Sequence, residues 1–170
     1  MWPWVLGGFV VLVVLLFGGC AVLFTSATRE VAEQGAARTS AQPVGSEVRD
    51  GKFGFVVTGV DPAVATVGDN EYLRKNAQGE YVLVHVDVAN TGDQPQTYFG
   101  ENQKLVDDHG NLYSNDTVAE LNVNKNIVTE INPGNRVSVV LVFDVPAGTV
   151  PAAVEFHDSA WSGGTRVSVG

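Results

Sequence analysis

The sequence contains almost no cysteine and few basic residues, and both shortages limit what the protein can be. Its 170 residues include one cysteine, so no intramolecular disulfide can form and the fold must rest on its core. Ten Lys and Arg residues stand against 19 Asp and Glu residues, which gives a formal net charge of −9. Because an acidic chain without a basic patch repels phosphate backbones, we expect no nucleic-acid partner.

The motifs of the common catalytic classes are also missing. The chain has no GxSxG turn, no Walker A loop, no CxxC pair and no GxGxxG after a strand. Its three histidines, His85, His109 and His157, share no metal-binding spacing such as HxH or HExxH. We therefore expect no catalytic residue and no cofactor, and we interpret the protein as something other than an enzyme.

Charge is absent altogether from the first part of the chain. Residues 2–24 read WPWVLGGFVVLVVLLFGGCAVLF, with no Asp, Glu, Lys or Arg. A helix of that length spans roughly 34 Å, and the hydrocarbon core of a bilayer is about 30 Å thick. We predict a transmembrane helix or signal anchor over residues 1–25, which would hold the protein in the cell membrane by a single span.

Two other interpretations of this segment stay open. The run LFGGC, which ends at Cys20, resembles a bacterial lipobox, in which that cysteine would be lipidated. Against it, Phe17 stands where such motifs prefer an aliphatic residue, and the apolar run continues beyond the cysteine. A cleaved signal peptide would instead release a secreted protein, although no Lys or Arg precedes the apolar run.

The rest of the chain divides into a linker and one domain. Residues 26–50 are rich in small and polar side chains and show no apolar stripe at helical spacing, so we predict a flexible linker. Residues 51–170 have the length of a single domain with one hydrophobic core.

Apolar and polar residues alternate in several short stretches of that domain. The clearest is residues 81–88, in which the valines at 82, 84, 86 and 88 share one face, and residues 136–145 repeat the pattern. Turn residues follow at 90–95, 108–111 and 132–135, and only residues 116–121 could form a helical turn. Short strands separated by turns predict an all-β sandwich.

The order of these stretches resembles a known group of bacterial proteins. A Phe-rich first strand is followed by YVLVHVDV running into NTGDQP, then by LVDDHGNLY, NPG and the closing VFDVP. This resembles the bacterial extracellular immunoglobulin-like domains of unknown function, which follow a lipoprotein signal or a single N-terminal helix. That group is similar in fold to a small secreted immunogenic antigen of high-GC Gram-positive bacteria. The resemblance implies an immunoglobulin-like antiparallel β-sandwich outside the cytoplasm, and it carries over no catalytic residue.

One oxygen-rich stretch provides the candidates for a metal site. Asp107, Asp108 and Asp116 lie close together in sequence with two asparagines, and oxygen-rich loops can hold calcium. Their spacing is not that of a calcium-binding loop. We therefore favour a solvated turn and expect no metal.

Four aromatic residues are candidates for a contact surface. Tyr98, Phe99, Tyr113 and Trp161 are of the type enriched where proteins recognise one another, although core packing accounts for such residues as well.

Together these features predict a non-catalytic interaction module tethered at the cell envelope. The domain would lie outside the cytoplasm and bind an unknown protein or envelope polymer through strand edges or loops. The alternative is an accessory or regulatory subunit that acts on another membrane protein through its transmembrane helix.

Overall fold

The computed structural model describes residues 40–69, 74–124 and 128–170. The predicted span over residues 1–25, Cys20 within it, and the first part of the predicted linker lie outside these residues. The described part of the chain contains no helix with the length and apolar content that crossing a membrane requires.

Nearly all regular structure in the described residues is extended. One short helix, α1 at Thr117–Glu120, and one 3₁₀ turn at Gly100–Asn102 accompany the strands. In chain order the elements are β1 Glu47–Asp50, β2 Phe53–Val60, β3 Val64–Val67, β4 Lys75–Asn90, β5 Gln96–Phe99, β6 Lys104–Asp107, β7 Leu112–Ser114, α1 Thr117–Glu120, β8 Val128–Ile131, β9 Arg136–Val145, β10 Pro151–Phe156 and β11 Thr165–Ser168.

The first sheet is built around the long strand β4. One edge of β4 pairs with β9 over ten residues, from Glu80 opposite Val145 to Ala89 opposite Arg136. The other edge pairs with β2 along its second half and with β3 near its start, and β1 extends the sheet beyond β2. All these pairings are antiparallel, as the turns between the strands require.

The second sheet has the strand order β11-β10-β6-β7, again antiparallel. A separate two-stranded ladder joins β5 to β8. Together with the first sheet this forms an all-β antiparallel sandwich, which confirms the fold class expected from the alternation.

The core lies between the inward faces of the two sheets. The valines at 82, 84, 86 and 88 of β4 are buried there, as the period of two predicts. The ring of Phe55 on β2 stacks on that of Phe156 on β10, with centroids 4.8 Å apart. Tyr98 of β5 meets Phe53 edge-on at 5.9 Å, so the aromatic contacts connect both sheets and the β5–β8 ladder.

The domain begins earlier than the sequence indicated, because the end of the predicted linker belongs to the sandwich. The predicted linker runs to residue 50, but β1 occupies Glu47–Asp50 and buries Val48 in the core. Upstream of it, Gln42 forms a parallel bridge with Val167 of β11. A strand with a single apolar residue leaves no alternation to detect, which explains why the pattern missed it.

The strands run between two ends of the sandwich, named here by the loops at residues 157–164 and 108–111. The 157–164 end carries the β1–β2 turn, the loop after β4, the turn before β9 and the loop between β10 and β11. The 108–111 end carries the β6–β7 turn and the β9–β10 turn.

Candidate functional site

A partner strand could in principle add to the edges of the two sheets. At two of these edges, however, the backbone groups already form hydrogen bonds with other parts of this chain. Along β11, Gln42 donates its backbone N–H to Arg166 O (2.9 Å) and accepts one from Ser168 N (2.7 Å). Along β9, the Asn124 side chain bonds both backbone groups of Val140, at 2.9 and 2.8 Å. Closed edges discourage strand addition, so a contact through faces or loops is favoured at these places.

Further along β9, the segment that leads into α1 completes the closure. The Asn115 side-chain oxygen accepts from Val142 N (2.8 Å), and the backbone of Asp116 donates to Val142 O (2.7 Å). One amide side chain and one backbone N–H thus satisfy a strand residue in place of a neighbouring strand.

The outward face of the second sheet contains a groove of about 550 Å³. It lies where the 3₁₀ turn, β6, β7 and the start of the 157–164 loop meet. Cross-strand register brings Glu155 of β10 opposite Lys104 of β6 on one side and Arg166 of β11 on the other. The residues that line the groove are Glu101, Asn102, Lys104, Leu112, Glu155, His157 and Ala160.

Glu155 is the electrostatic centre of this groove. Its carboxylate accepts a hydrogen bond from His157 Nε2 at 2.7 Å and from Arg166 Nε at 2.6 Å. Partial burial raises the pKa of the carboxyl, but the bonds from His157 and Arg166 outweigh it and hold the pKa below its usual value. The carboxylate is therefore ionised and paired at neutral pH.

Ser162 completes an arrangement that resembles a catalytic triad, but its hydroxyl is not placed as a nucleophile. Its Oγ lies 3.3 Å from His157 Nδ1, which is long for an activating hydrogen bond. The same hydroxyl donates to the backbone carbonyl of Ser159 at 3.0 Å. Because the same hydroxyl also bonds a backbone carbonyl, the arrangement suits the fixing of a loop better than acyl transfer.

Buried Gln103 fixes the backbone beneath the groove. Its side-chain oxygen accepts from His157 N at 2.8 Å, and its nitrogen donates to the carbonyls of His157 (3.2 Å) and Phe99 (3.1 Å). An amide side chain with three such bonds locks β10 to the end of β5. No sequence pattern indicates the contact between Gln103 and His157, since the two residues are 54 positions apart.

The structure divides the four predicted aromatic contact residues. Tyr98 is buried in the core, and Tyr113 packs against the core while its hydroxyl donates to Asp107 at 3.0 Å. Phe99 and Trp161 are exposed, at 43% and 95%. Only these two of the four can contribute to a contact surface. Phe99 directly precedes the 3₁₀ turn, and Trp161 directly follows Ala160 in sequence.

The metal candidates are likewise only partly brought together. Asp107 and Asp108 lie with His109 so that ligand atoms come within 4.8 Å of one another. Asp116 lies elsewhere: it caps α1 through Ala119 N (3.0 Å) and pairs with Lys75 at 2.7 Å.

Asp107 already has a full set of donors from its own turn. Its Oδ1 accepts from the backbone of His109 (3.0 Å) and Asn111 (2.7 Å), and its Oδ2 accepts from the Asn111 and Tyr113 side chains. Desolvation raises the pKa of this carboxyl, but these bonds outweigh it and lower the pKa to about 2. The geometry is that of a hydrogen-bonded turn.

Comparison with known proteins agrees with the sandwich. The secreted protein MPT63 from Mycobacterium tuberculosis superposes with a TM-score of 0.51 at 12% identity, covering 76% of this chain and 96% of that one. The yjhA protein from Bacillus subtilis superposes with a TM-score of 0.49 at 16% identity, covering 68% of this chain and 79% of that one. A conserved hypothetical protein from Bacillus anthracis gives 0.49 at 17% identity, over 76% and 95%.

The likeness to MPT63 shows the fold alone, and it confirms the resemblance expected from the strand motifs. No curated protein matches the chain. The sequence model of DUF4352, a domain of unknown function, matches residues 42–167. The chain therefore belongs to the DUF4352 family.

Proposed function

We propose that this protein is a membrane-tethered, extracytoplasmic, immunoglobulin-like domain that acts as a non-catalytic binding module at the cell envelope. The uncharged run over residues 2–24 supports the tether, and MPT63, which shares the fold, is described as secreted. The groove on the outward face of the second sheet is the contact surface we favour.

The observation that carries this proposal is that the groove is held in place before any partner arrives. Gln103 fixes its floor, and Glu155 is held between His157 and Arg166. A surface fixed in this way loses little conformational entropy on binding. Leu112 is 59% exposed at its border and offers an apolar contact beside these polar groups.

Charge and the hydroxyl geometry support the partner class that we propose, a protein or an envelope polymer. An acidic chain disfavours nucleic acid. The engaged hydroxyl of Ser162 supports binding without catalysis.

Site-specific photo-crosslinking of the full chain in the cells that express it tests the surface. The crosslinker replaces Leu112 or, as a matched control, Val118, which is 58% exposed on α1 over the other sheet. We expect one discrete crosslinked product from position 112, lost on Lys104→Glu, and none from position 118. Equal crosslinking at both positions would contradict a contact through the groove.

Protease treatment of intact cells tests the location. With a tag on the C-terminus, loss of the tag without lysis supports an extracytoplasmic domain. Protection until lysis would place the domain in the cytoplasm and overturn the proposal.

A further inference from the structure

Trp161 is the most exposed of the large apolar side chains in the described residues, at 95%. It lies at the tip of the 157–164 loop, and its indole is outside both hydrophobic clusters. A tryptophan side chain that is fully in water contributes no hydrophobic stabilisation to the fold, because none of its large apolar surface is buried. The position calls for an explanation by a contact outside the described chain.

The loop that displays Trp161 is firmly held. Ser162 donates its backbone N–H and its hydroxyl to Ser159 O, at 3.1 and 3.0 Å. At the base, Asp158 N donates to the Asp50 carboxylate at 2.8 Å, and Lys52 pairs with Asp158 at 3.1 Å. The indole therefore projects from an ordered turn.

The N-terminal part of the described chain starts at the same end of the sandwich. Gln42 pairs in parallel with Val167 of β11, so the chain before Gln42 leads back towards Thr165 and the 157–164 loop. Residues 26–39 of the predicted linker separate this point from the predicted span, and a random coil of that many residues reaches roughly 20 Å in general. The opposite end is about 20 Å further away along β10 alone.

Charge favours the same orientation. Carboxylates gather towards the opposite, 108–111 end: Glu80, Asp107, Asp108 and Asp144. Charges at the 157–164 end are mixed, with Lys52, Lys104 and Arg136 beside Asp50, Asp93, Glu101 and Asp158. An anionic membrane surface repels the first end more than the second.

We propose that Trp161 is a second membrane contact, which inserts its indole at the lipid–water interface and holds the 157–164 end of the domain against the bilayer. The inference rests on the proposed tether. The ligand is the headgroup region of the lipid bilayer, where the amphipathic indole of tryptophan is most stable.

One indole is too little to bind a free domain to a membrane, but the tether changes this. A second contact on a chain that is already tethered is intramolecular, and short flexible linkers in general give effective concentrations in the millimolar range. A weak contact is then populated, and it holds the 157–164 end of the domain at the membrane surface.

Tryptophan fluorescence of the full chain in phosphatidylcholine vesicles tests the contact. Subtracting the spectrum of Trp161→Phe isolates the signal of Trp161 from those of Trp2 and Trp4. We expect the Trp161 emission to be blue-shifted. Bromine atoms near the lipid headgroup should quench this emission, and acrylamide in the water should not. A water-like emission, insensitive to brominated lipid and open to acrylamide, would overturn the proposal.

A matched control places the probe at the opposite end. Val150, 55% exposed before β10, becomes the tryptophan in the variant Val150→Trp with Trp161→Phe. We expect acrylamide to quench the fluorescence of the tryptophan at position 150. Equal quenching of both positions by brominated lipid would show that the domain has no preferred orientation and would overturn the inference. A full chain that fails to float with the vesicles contradicts the span itself, and the inference falls with the tether.

Discussion

Glu120 is a carboxylate held inside the protein, with an exposed fraction of 1%. It accepts hydrogen bonds from the side chains of Asn115 and Asn124, and Tyr98 lies close enough to feel its charge. Among the described residues no cation pairs with it. Burial raises the pKa of Glu120 further than the two asparagines lower it, and burial together with the Glu120 charge raises the pKa of Tyr98.

A raised pKa in the folded state fixes the sign of a pH effect. The stability that Glu120 contributes is fully present below its unfolded pKa, and it is lost as the pH rises through its folded pKa. The variant Glu120→Gln lacks this loss. We therefore compare the free energies of unfolding of Glu120→Gln and of the unaltered chain at each pH. The difference, variant minus unaltered chain, should increase from pH 4 to neutral pH. Urea unfolding at a series of pH values measures the difference, and a constant difference would refute the argument. Glu101→Gln, at an exposed position, is the control.

The stability that Asp107 contributes depends on pH in the opposite direction. Its pKa is lowered from 3.8 to about 2 by its turn hydrogen bonds, so the stability it contributes is present above about pH 4 and disappears as the pH falls towards 2. Asp107→Asn should lower the melting temperature at neutral pH and flatten the acid limb of the stability curve. Thermal melts between pH 2 and 7 test this, with Asp108→Asn, in the same turn, as the control. An acid limb as steep in Asp107→Asn as in the unaltered chain would show that other carboxyls cause it.

At the scale of elements, the closure of β9 by asparagines is the feature with the largest expected effect. Asn124 bonds both backbone groups of Val140 and also reaches Glu120. Asn124→Ala should cost about 1–3 kcal/mol, because backbone groups of the strand lose their partners.

A matched variant separates this role from the effect of any asparagine substitution nearby. Asn122 also bonds a backbone carbonyl, that of Val118, but at the surface (3.2 Å). Asn122→Ala should stay within about 0.5 kcal/mol of the unaltered chain. Only Asn124→Ala should also form oligomers in sedimentation velocity, since its β9 edge is open. Equal stability and equal monomer content in the two variants would contradict the role given to Asn124.

The strands that are clearest in the sequence are those with one fully apolar face. β2, β4 and β9 alternate over six or more residues, and β9 was predicted at Arg136–Val145 as observed. The turns at 108–111 and 132–135 and the helical turn at α1 were also predicted, because their residues act locally. β1 and β3 bury one side chain or few, so their pairing is decided by neighbours that the sequence does not bring together.

The groove was beyond sequence reasoning for the same reason. Glu155, His157 and Arg166 meet only because β10 and β11 pair in one register. Trp161 was recognised by residue type, but the same criterion selected Tyr98, which is a core residue. An aromatic side chain fits both roles, and only the fold distinguishes them.

For the whole molecule, the decisive question is where the folding unit begins. Residues 40–50 supply the Gln42 bonds to β11, the pairing of β1 with β2 and the burial of Val48. Asp50 also holds the base of the 157–164 loop. The domain boundary predicted at residue 51 would remove all of these and expose the edge of β2.

Two fragments, residues 40–170 and residues 51–170, test this boundary. We expect the longer one to fold as a monomer with a β-type circular dichroism spectrum. The shorter one should be less stable by at least about 2 kcal/mol, the contribution of burying one valine side chain, before the lost strand pairing is counted. Urea unfolding midpoints compare the two, and sedimentation should show the shorter fragment associating through β2. Identical midpoints would mean that β1 lies on a core that is complete without it, and the folding unit would begin at residue 51 after all.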